Sequence, residues 1–170
     1  MSGRRRVLSI CATLGVLGAG ATVGWILLHD RTPELTRDAL ASARALWERA
    51  QLRDYDITIR KDLDARPRET IQTRVRGGKA TRLLINGAEV APKDSYSVPG
   101  LFELVEGELD LLESRERLPG QPEIRRLRGS FHPTIGVPIL VRRIASRRQS
   151  YVIQVLHIET PEQLLLWKEP

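Results

Sequence analysis

The chain has 170 residues with 27 Lys and Arg against 21 Asp and Glu, so its formal net charge is +6. This length fits one domain rather than two. The only cysteine, Cys11, excludes an internal disulfide framework and a zinc site built on several cysteines. Apolar residues concentrate in an uncharged block from Val7 to Leu28, a pattern that is not typical of a purely cytosolic globular protein.

The uncharged block predicts a membrane anchor. Three arginines, Arg4 to Arg6, precede the block, and a helix over residues 7–28 would span the roughly 30 Å hydrocarbon core of a bilayer. The basic cluster before the block satisfies the positive-inside bias. We therefore expect a cytoplasmic basic stub at 1–6, a single-pass transmembrane signal anchor at 7–28 and a domain at 29–170 outside the cytoplasm. The expected location is a bacterial cytoplasmic (inner) membrane.

A cleaved secretory signal is the alternative interpretation of the same block. Ala19-Gly20-Ala21 is a small-x-small site of the kind that signal peptidase accepts. The most lipophilic part of the block follows this site, whereas the apolar region of a signal normally ends before it. The order of these features favours the uncleaved anchor.

A helix is predicted next, from Thr32 to about Arg53. The Thr-Pro-Glu motif at 32–34 is typical of a helix start, with Thr32 as N-cap. Apolar residues then recur at spacings of three and four, at Leu40, Ala43, Trp47 and Ala50. This stripe predicts a helix with one buried face.

Alternation of apolar and polar residues from Tyr55 onward predicts antiparallel strands. Alternating runs begin at Tyr55, Thr70 and Ala80. Gly77-Gly78 and Asn86-Gly87 are typical of two-residue hairpins, whose type I′ turns need positive φ at both central residues. The pattern predicts a meander that ends around Ala88 to Val90.

A second helix is predicted after Ser97 as N-cap, with an apolar face between Leu101 and Leu112. The opposite, outward face is expected to carry the acids Glu103, Glu106, Glu108, Asp110 and Glu113. Three further strands are expected at Ile124 to His132, Ile139 to Ile144, and Tyr151 to Ile158.

The final segment repeats the Thr-Pro-Glu motif at 160–162 and predicts a short helix bearing Leu164 to Trp167. The exported part is therefore an α+β domain: helix, β-meander, helix, β-meander. Its antiparallel sheet is expected to carry the helices packed on one face.

The order of several short motifs resembles that of a bacterial family of extracytoplasmic domains of unknown function. These motifs are Trp47, Tyr55-x-Ile57-x-Ile59, Ile85-Asn86-Gly87, Ser97-Val98-x-x-Leu101-Phe102, Phe131-His132 and Gly136-x-Pro138. The resemblance implies a small α+β domain behind a lipoprotein signal or membrane anchor, and it supplies no catalytic residues. The chain departs from the family pattern at His132, where the family usually has Asp, and at Val137, where it has an aromatic residue.

Candidate catalytic groups are few. Ser130 and His132 stand two positions apart on a predicted strand, and His157 lies on another strand of the same sheet. They could serve a small envelope hydrolase or a metal-dependent enzyme. However, no Gly-x-Ser-x-Gly motif and no close His spacing accompanies them. We predict no catalytic residue, no metal site and no cofactor, and we expect His132, Gly136 and Pro138 to form either a groove rim or simply a tight turn.

Charge is strongly segregated along the chain, because Arg115 to Arg148 hold nine arginines against two glutamates. A basic sheet face is therefore a candidate interaction surface for anionic lipid, an envelope polymer or an acidic protein. Its predicted members are Arg125, Arg126, Arg128, Arg142, Arg143, Arg147 and Arg148. The alternative is a solvated face whose arginines pair with acidic neighbours and with the second helix. Nucleic acid is not an expected partner, because no aromatic residues are interleaved for stacking.

These features favour a non-enzymatic, membrane-anchored binding domain. The envelope enzyme described above is one alternative. Another is an accessory subunit of an envelope complex, with the apolar residues Leu164 to Trp167 as its contact.

Overall fold

The protein's computed structural model describes residues 32–64, 66–114, 123–146 and 149–168. Two α-helices occur in these ranges, α1 (Arg37–Ala50) and α2 (Val98–Glu113). A single 3₁₀ turn, Asp94–Tyr96, precedes α2. The strands are β1 (Tyr55–Leu63), β2 (Glu69–Arg76), β3 (Lys79–Ile85), β4 (Ala88–Val90), β5 (Ile124–Phe131), β6 (Pro138–Ala145), β7 (Tyr151–Glu159) and β8 (Leu164–Trp167).

All the strands belong to one antiparallel sheet in the order β4-β3-β2-β1-β7-β6-β5. The two predicted meanders are thus joined edge to edge by β1 and β7. Strand β8 pairs with residues 157–159 of β7, whereas β6 pairs with residues 151–154. Strand β1 pairs with one edge of β7. Strands β6 and β8 therefore pair with two successive stretches of its opposite edge. The predicted α+β class with an antiparallel sheet is confirmed.

The hydrophobic core lies between one face of the sheet and the two helices. Alternate residues of β1 are buried, and Tyr55, Ile57 and Ile59 are each about 1% exposed. They share one cluster with the buried faces of α1 and α2. The alternate residues of the strands and the apolar faces of α1 and α2 are therefore buried in the same layer.

Both predicted two-residue turns have the expected backbone. Gly77 and Gly78 have φ of 57° and 80°, and Asn86 and Gly87 have φ of 52° and 81°. Positive φ at both central residues is the requirement of a type I′ turn. The amide oxygen of Asn86 also accepts a hydrogen bond from the Thr70 backbone N–H at 2.8 Å.

The start of α1 was predicted too early. The N-cap is Thr36, whose hydroxyl accepts from the Ala39 N–H at 3.2 Å, and not Thr32. The residues before it pair with the outer edge of β5: the Leu35 N–H donates to Leu127 O and the Gly129 N–H donates to Pro33 O, each at 3.0 Å. An unprotected strand edge offers backbone partners that a local helix signal cannot reveal.

The predicted C-terminal helix is wrong, because Leu164–Trp167 form strand β8. The Thr160 hydroxyl does accept from the Gln163 N–H at 3.1 Å, but the chain turns back instead of continuing as a helix. The Thr160 N–H donates to Gln163 O at 2.8 Å and closes a tight turn onto β7. Four residues are too few for a stable helix, whereas pairing with β7 satisfies their backbone groups.

The start of α2 is as predicted. Ser97 is the N-cap, and its hydroxyl accepts from the Gly100 N–H at 3.3 Å. The Tyr55 hydroxyl accepts from the Val98 N–H at 3.0 Å, which ties the helix start to β1. Burial of the ring raises the pKa of Tyr55 to about 12.

Thr73 is a buried polar residue in the core. It is about 1% exposed, lies between Ile57 and Leu83 in register, and its hydroxyl has no hydrogen-bond partner. Replacing Thr73 by Val keeps the shape and removes the unpaired group. We expect Thr73→Val to raise the free energy of unfolding by about 1 kcal/mol, measured by urea titration of the full-length protein.

Thr81→Val is the matched control. The Thr81 hydroxyl is exposed and donates to Arg74 O at 3.2 Å, so its loss should give no gain in stability. A Thr73→Val variant no more stable than the parent would show that the hydroxyl is satisfied in solution.

No helix in the described ranges is long and apolar enough to cross a membrane. The predicted anchor at 7–28 and the predicted cleavage site lie outside those ranges.

Candidate functional site

The described arginines of the predicted basic surface differ in their surroundings. Arg125 and Arg126 are exposed at the start of β5. Arg128 and Arg142 face each other on β5 and β6, are half-buried, and each makes a polar or electrostatic contact of its own. Arg147 and Arg148 lie outside the described residues. Among the members that the structure describes, Arg125 and Arg126 are therefore the exposed ones.

Arg143 was predicted to lie on the basic surface, but the structure places it in a largely buried network. Its guanidinium donates to the Glu108 carboxylate of α2 at 2.8 Å and to Gln149 O at 2.8 and 3.0 Å. It also lies 4.5 Å from the centroid of the Tyr151 ring. The predicted alternative, an arginine paired with the second helix, is what the structure has at this position.

The prediction that Glu108 lies on the outward face of α2 is wrong, because its side chain faces the protein interior. It is 8% exposed, and its Oε1 also accepts from the Tyr151 hydroxyl at 3.0 Å. Burial, followed by the neighbouring Glu108 charge, raises the pKa of Tyr151 well above the ordinary range for tyrosine. Glu108 lies three positions after Val105 and one before Leu109, a spacing that could have placed it on the buried stripe.

The segment from His132 to Pro138 forms a tight turn rather than a groove rim. The Nδ1 of His132 accepts from the N–H groups of Thr134 at 3.3 Å and Ile135 at 3.4 Å. The His132 N–H donates to Val137 O at 2.7 Å, and its carbonyl accepts from the Gly136 N–H at 2.9 Å. The ring therefore holds the turn.

Gly136 and Pro138 are buried, and Gly136 lies directly against α1. It has a φ of +74°, and a Cβ built on it would lie 1.9 Å from the Ala43 carbonyl oxygen. Only glycine lets the turn approach the helix this closely.

The candidate catalytic histidines have other partners in the described part of the chain. No hydrogen bond joins His132 to Ser130 or to His157 there. Instead, Nε2 of His157 lies 3.1 Å from a Glu159 carboxylate oxygen. The two residues line a polar cavity of about 220 Å³ that also contacts Asp56, Thr58, Arg74 and Arg82. No group of three or more His, Cys, Asp or Glu within the described ranges has the geometry to hold a metal ion.

A furrow between α1 and α2 forms a cavity that the sequence did not predict. The two helices run antiparallel, as their ion pairs show: Arg37 binds Asp110 at 2.6 Å and Glu113 at 2.9 Å, and Arg44 binds Glu106 at 3.0 Å. Below the Arg44–Glu106 pair a space of about 440 Å³ opens. Its lining includes Trp47, Glu48, Leu52, Arg53, Pro99, Phe102 and Glu103.

Comparison with models of known protein families gives no match, and no curated protein of similar sequence is found. The resemblance to an extracytoplasmic family therefore stays a prediction.

Proposed function

We propose that the chain is a single-pass, membrane-anchored domain that binds a partner on the outer side of a bacterial cytoplasmic membrane and performs no catalysis. The observation that carries this proposal is the pairing of Pro33–Leu35 with β5, because it fixes where the chain enters the folded domain. Pro33 follows Leu28, the end of the predicted anchor, by five positions. An extended chain of that length covers at most about 17 Å. An anchor ending at Leu28 would thus keep the domain at the membrane surface.

The direction of this pairing places Pro33 at a distance from the exposed arginines. Pro33–Leu35 run antiparallel to β5, with Pro33 bonded to Gly129 and Leu35 bonded to Leu127. Arg125 lies four positions from Gly129, about 14 Å along the strand. Arg125 and Arg126 thus lie toward the end of β5 that is away from Pro33.

An acidic protein is the partner that we assign to Arg125 and Arg126. Both arginines are exposed and neighbouring, and a guanidinium group binds carboxylates in a planar, bidentate geometry. Such a surface chiefly increases the rate and specificity of association. Its attraction for the partner weakens as the salt concentration rises.

The anchoring half of the proposal is tested by fractionation and topology. We expect the full-length protein to remain in the membrane pellet after a carbonate wash, and a reporter fused after Pro170 to be active only outside the cytoplasm. Release by carbonate, or a cytoplasmic reporter, would refute membrane anchoring.

The binding half is tested with a photoreactive amino acid at Arg125, and a second one at Thr134 for comparison. We expect the Arg125 probe to form protein adducts in intact cells, and Arg126→Glu to reduce their yield severalfold. Arg49→Glu on the exposed side of α1 is the matched control and should leave the yield unchanged. Adducts with lipid or polymer alone at Arg125 would refute the acidic protein partner.

A further inference from the structure

We propose that the furrow between α1 and α2 binds a short segment of a partner protein in which a lysine or arginine neighbours a large apolar side chain. This site is separate from the Arg125–Arg126 surface, and it does not depend on how the chain is anchored. The apolar floor, the charges of the walls and a side chain already seated in the furrow each support the inference.

The floor of the furrow is aromatic. Trp47 of α1 and Phe102 of α2 line it, together with Leu52 and Pro99. Trp47 is held in place by an edge-on contact with the Tyr55 ring, whose centroid lies 5.3 Å away. An apolar floor of this kind buries an apolar side chain favourably, and the faces of its aromatic rings attract cations.

The two walls present carboxylates across this floor. Glu48 on α1 and Glu103 on α2 are both exposed and form no ion pair with the described residues. Glu106 is already bound by Arg44, so the remaining charges of the lining are these two carboxylates and Arg53 beyond the end of α1. The charge that complements the two walls is positive.

Arg44 shows how the furrow holds a cation. Its guanidinium lies 5.8 Å from the centroid of the Phe102 ring while it binds Glu106 at 3.0 Å. Trp47 lies about one helical turn beyond Arg44 and gives the lining a second aromatic ring, together with the carboxylates of Glu48 and Glu103. A partner's lysine or arginine can therefore use the arrangement that Arg44 uses within the chain.

The test uses full-length protein in vesicles of zwitterionic lipid, with Trp25 and Trp167 replaced by Phe so that Trp47 is the only tryptophan and can be excited selectively. The probe is a capped hexapeptide of sequence Gly-Leu-Lys-Leu-Lys-Gly, with Gly-Leu-Glu-Leu-Glu-Gly as its matched control. We expect a saturable change in Trp47 emission with the lysine peptide. Binding of the glutamate peptide should be weaker by about tenfold or more.

Variants then assign the binding to the two walls. Glu48→Gln with Glu103→Gln should weaken binding of the lysine peptide by about fivefold, since each exposed ion pair contributes modestly. Asp38→Asn with Glu162→Gln removes two exposed carboxylates outside the furrow and should leave the affinity unchanged. Equal binding of both peptides, no saturable response to the lysine peptide, or an unchanged affinity in the Glu48 and Glu103 variant would each overturn the proposal.

Discussion

Replacing Glu108 with Ala is expected to lower the free energy of unfolding by about 3–5 kcal/mol. The substitution leaves the Arg143 guanidinium, whose side chain is 16% exposed, without its carboxylate partner in the protein interior. It also removes the acceptor of the Tyr151 hydroxyl. A buried charge that loses its partner retains the full penalty of its removal from water, which is why one truncation has so large an effect. Urea titration of the full-length protein measures the loss.

Two further variants separate charge from hydrogen bonding. Glu108→Gln keeps a hydrogen-bond acceptor for Tyr151 but removes the charge. Its free energy of unfolding should lie between those of the parent and of Glu108→Ala. The double variant Glu108→Leu with Arg143→Met removes both charges, and replacement of a buried ion pair by apolar side chains is often neutral or stabilising. A loss below about 1 kcal/mol for Glu108→Ala would mean that water reaches Arg143.

Gly136→Ala is expected to lower the free energy of unfolding by about 3 kcal/mol or more. The added Cβ would lie 1.9 Å from the Ala43 carbonyl oxygen, which is backbone and cannot move aside without shifting α1. The φ of +74° adds strain for any residue with a Cβ. We expect a large fall in the midpoint of urea denaturation, because the turn must withdraw from the helix.

Two other glycines divide this effect into its parts. Gly87 also has positive φ, +81°, but nothing lies within 4 Å of its built Cβ, so Gly87→Ala should show backbone strain alone, about 1 kcal/mol. Gly107 lies within α2 in open space, and Gly107→Ala should stabilise the protein by about 0.5–1 kcal/mol. If Gly136→Ala cost no more than Gly87→Ala, the close approach to α1 would be relieved by small local movements.

The strands and tight turns could be predicted because their signals are local. Alternation from Tyr55 and the Asn86-Gly87 pair each specify backbone geometry within a few residues, and both predictions are confirmed. The two Thr-Pro-Glu motifs carry an equally clear helix signal, yet the structure pairs Glu34 with β5 and Leu164–Trp167 with β7. A neighbouring strand edge overrides a local cap in both places, and β5 supplies that edge from distant sequence while β7 supplies it from the strand just before.

The site was less predictable than the fold. The acids of α2 look alike in sequence, and which of them is buried depends on where Arg143 and Tyr151 lie in the sheet. The furrow depends on how closely α1 and α2 pack, and helical periodicity specifies which face is buried but not the distance between two helices. Trp47 and Phe102 were visible as core residues, whereas their meeting at one cavity was not.

The central pairing of β1 with β7 also sets the order of events as the protein is made. Arg60 of β1 hydrogen-bonds to Gln154 of β7, 94 positions later in the chain. The middle of the sheet therefore cannot close until almost the entire chain is available, and the loop-closure entropy of that long segment makes the step slow. Strands β1 to β4 can form a meander early, but their edge at β1 stays open until β7 arrives. A chain with this topology therefore keeps that edge unpaired while most of it is being synthesised, and it completes its core only when the C-terminal strands follow.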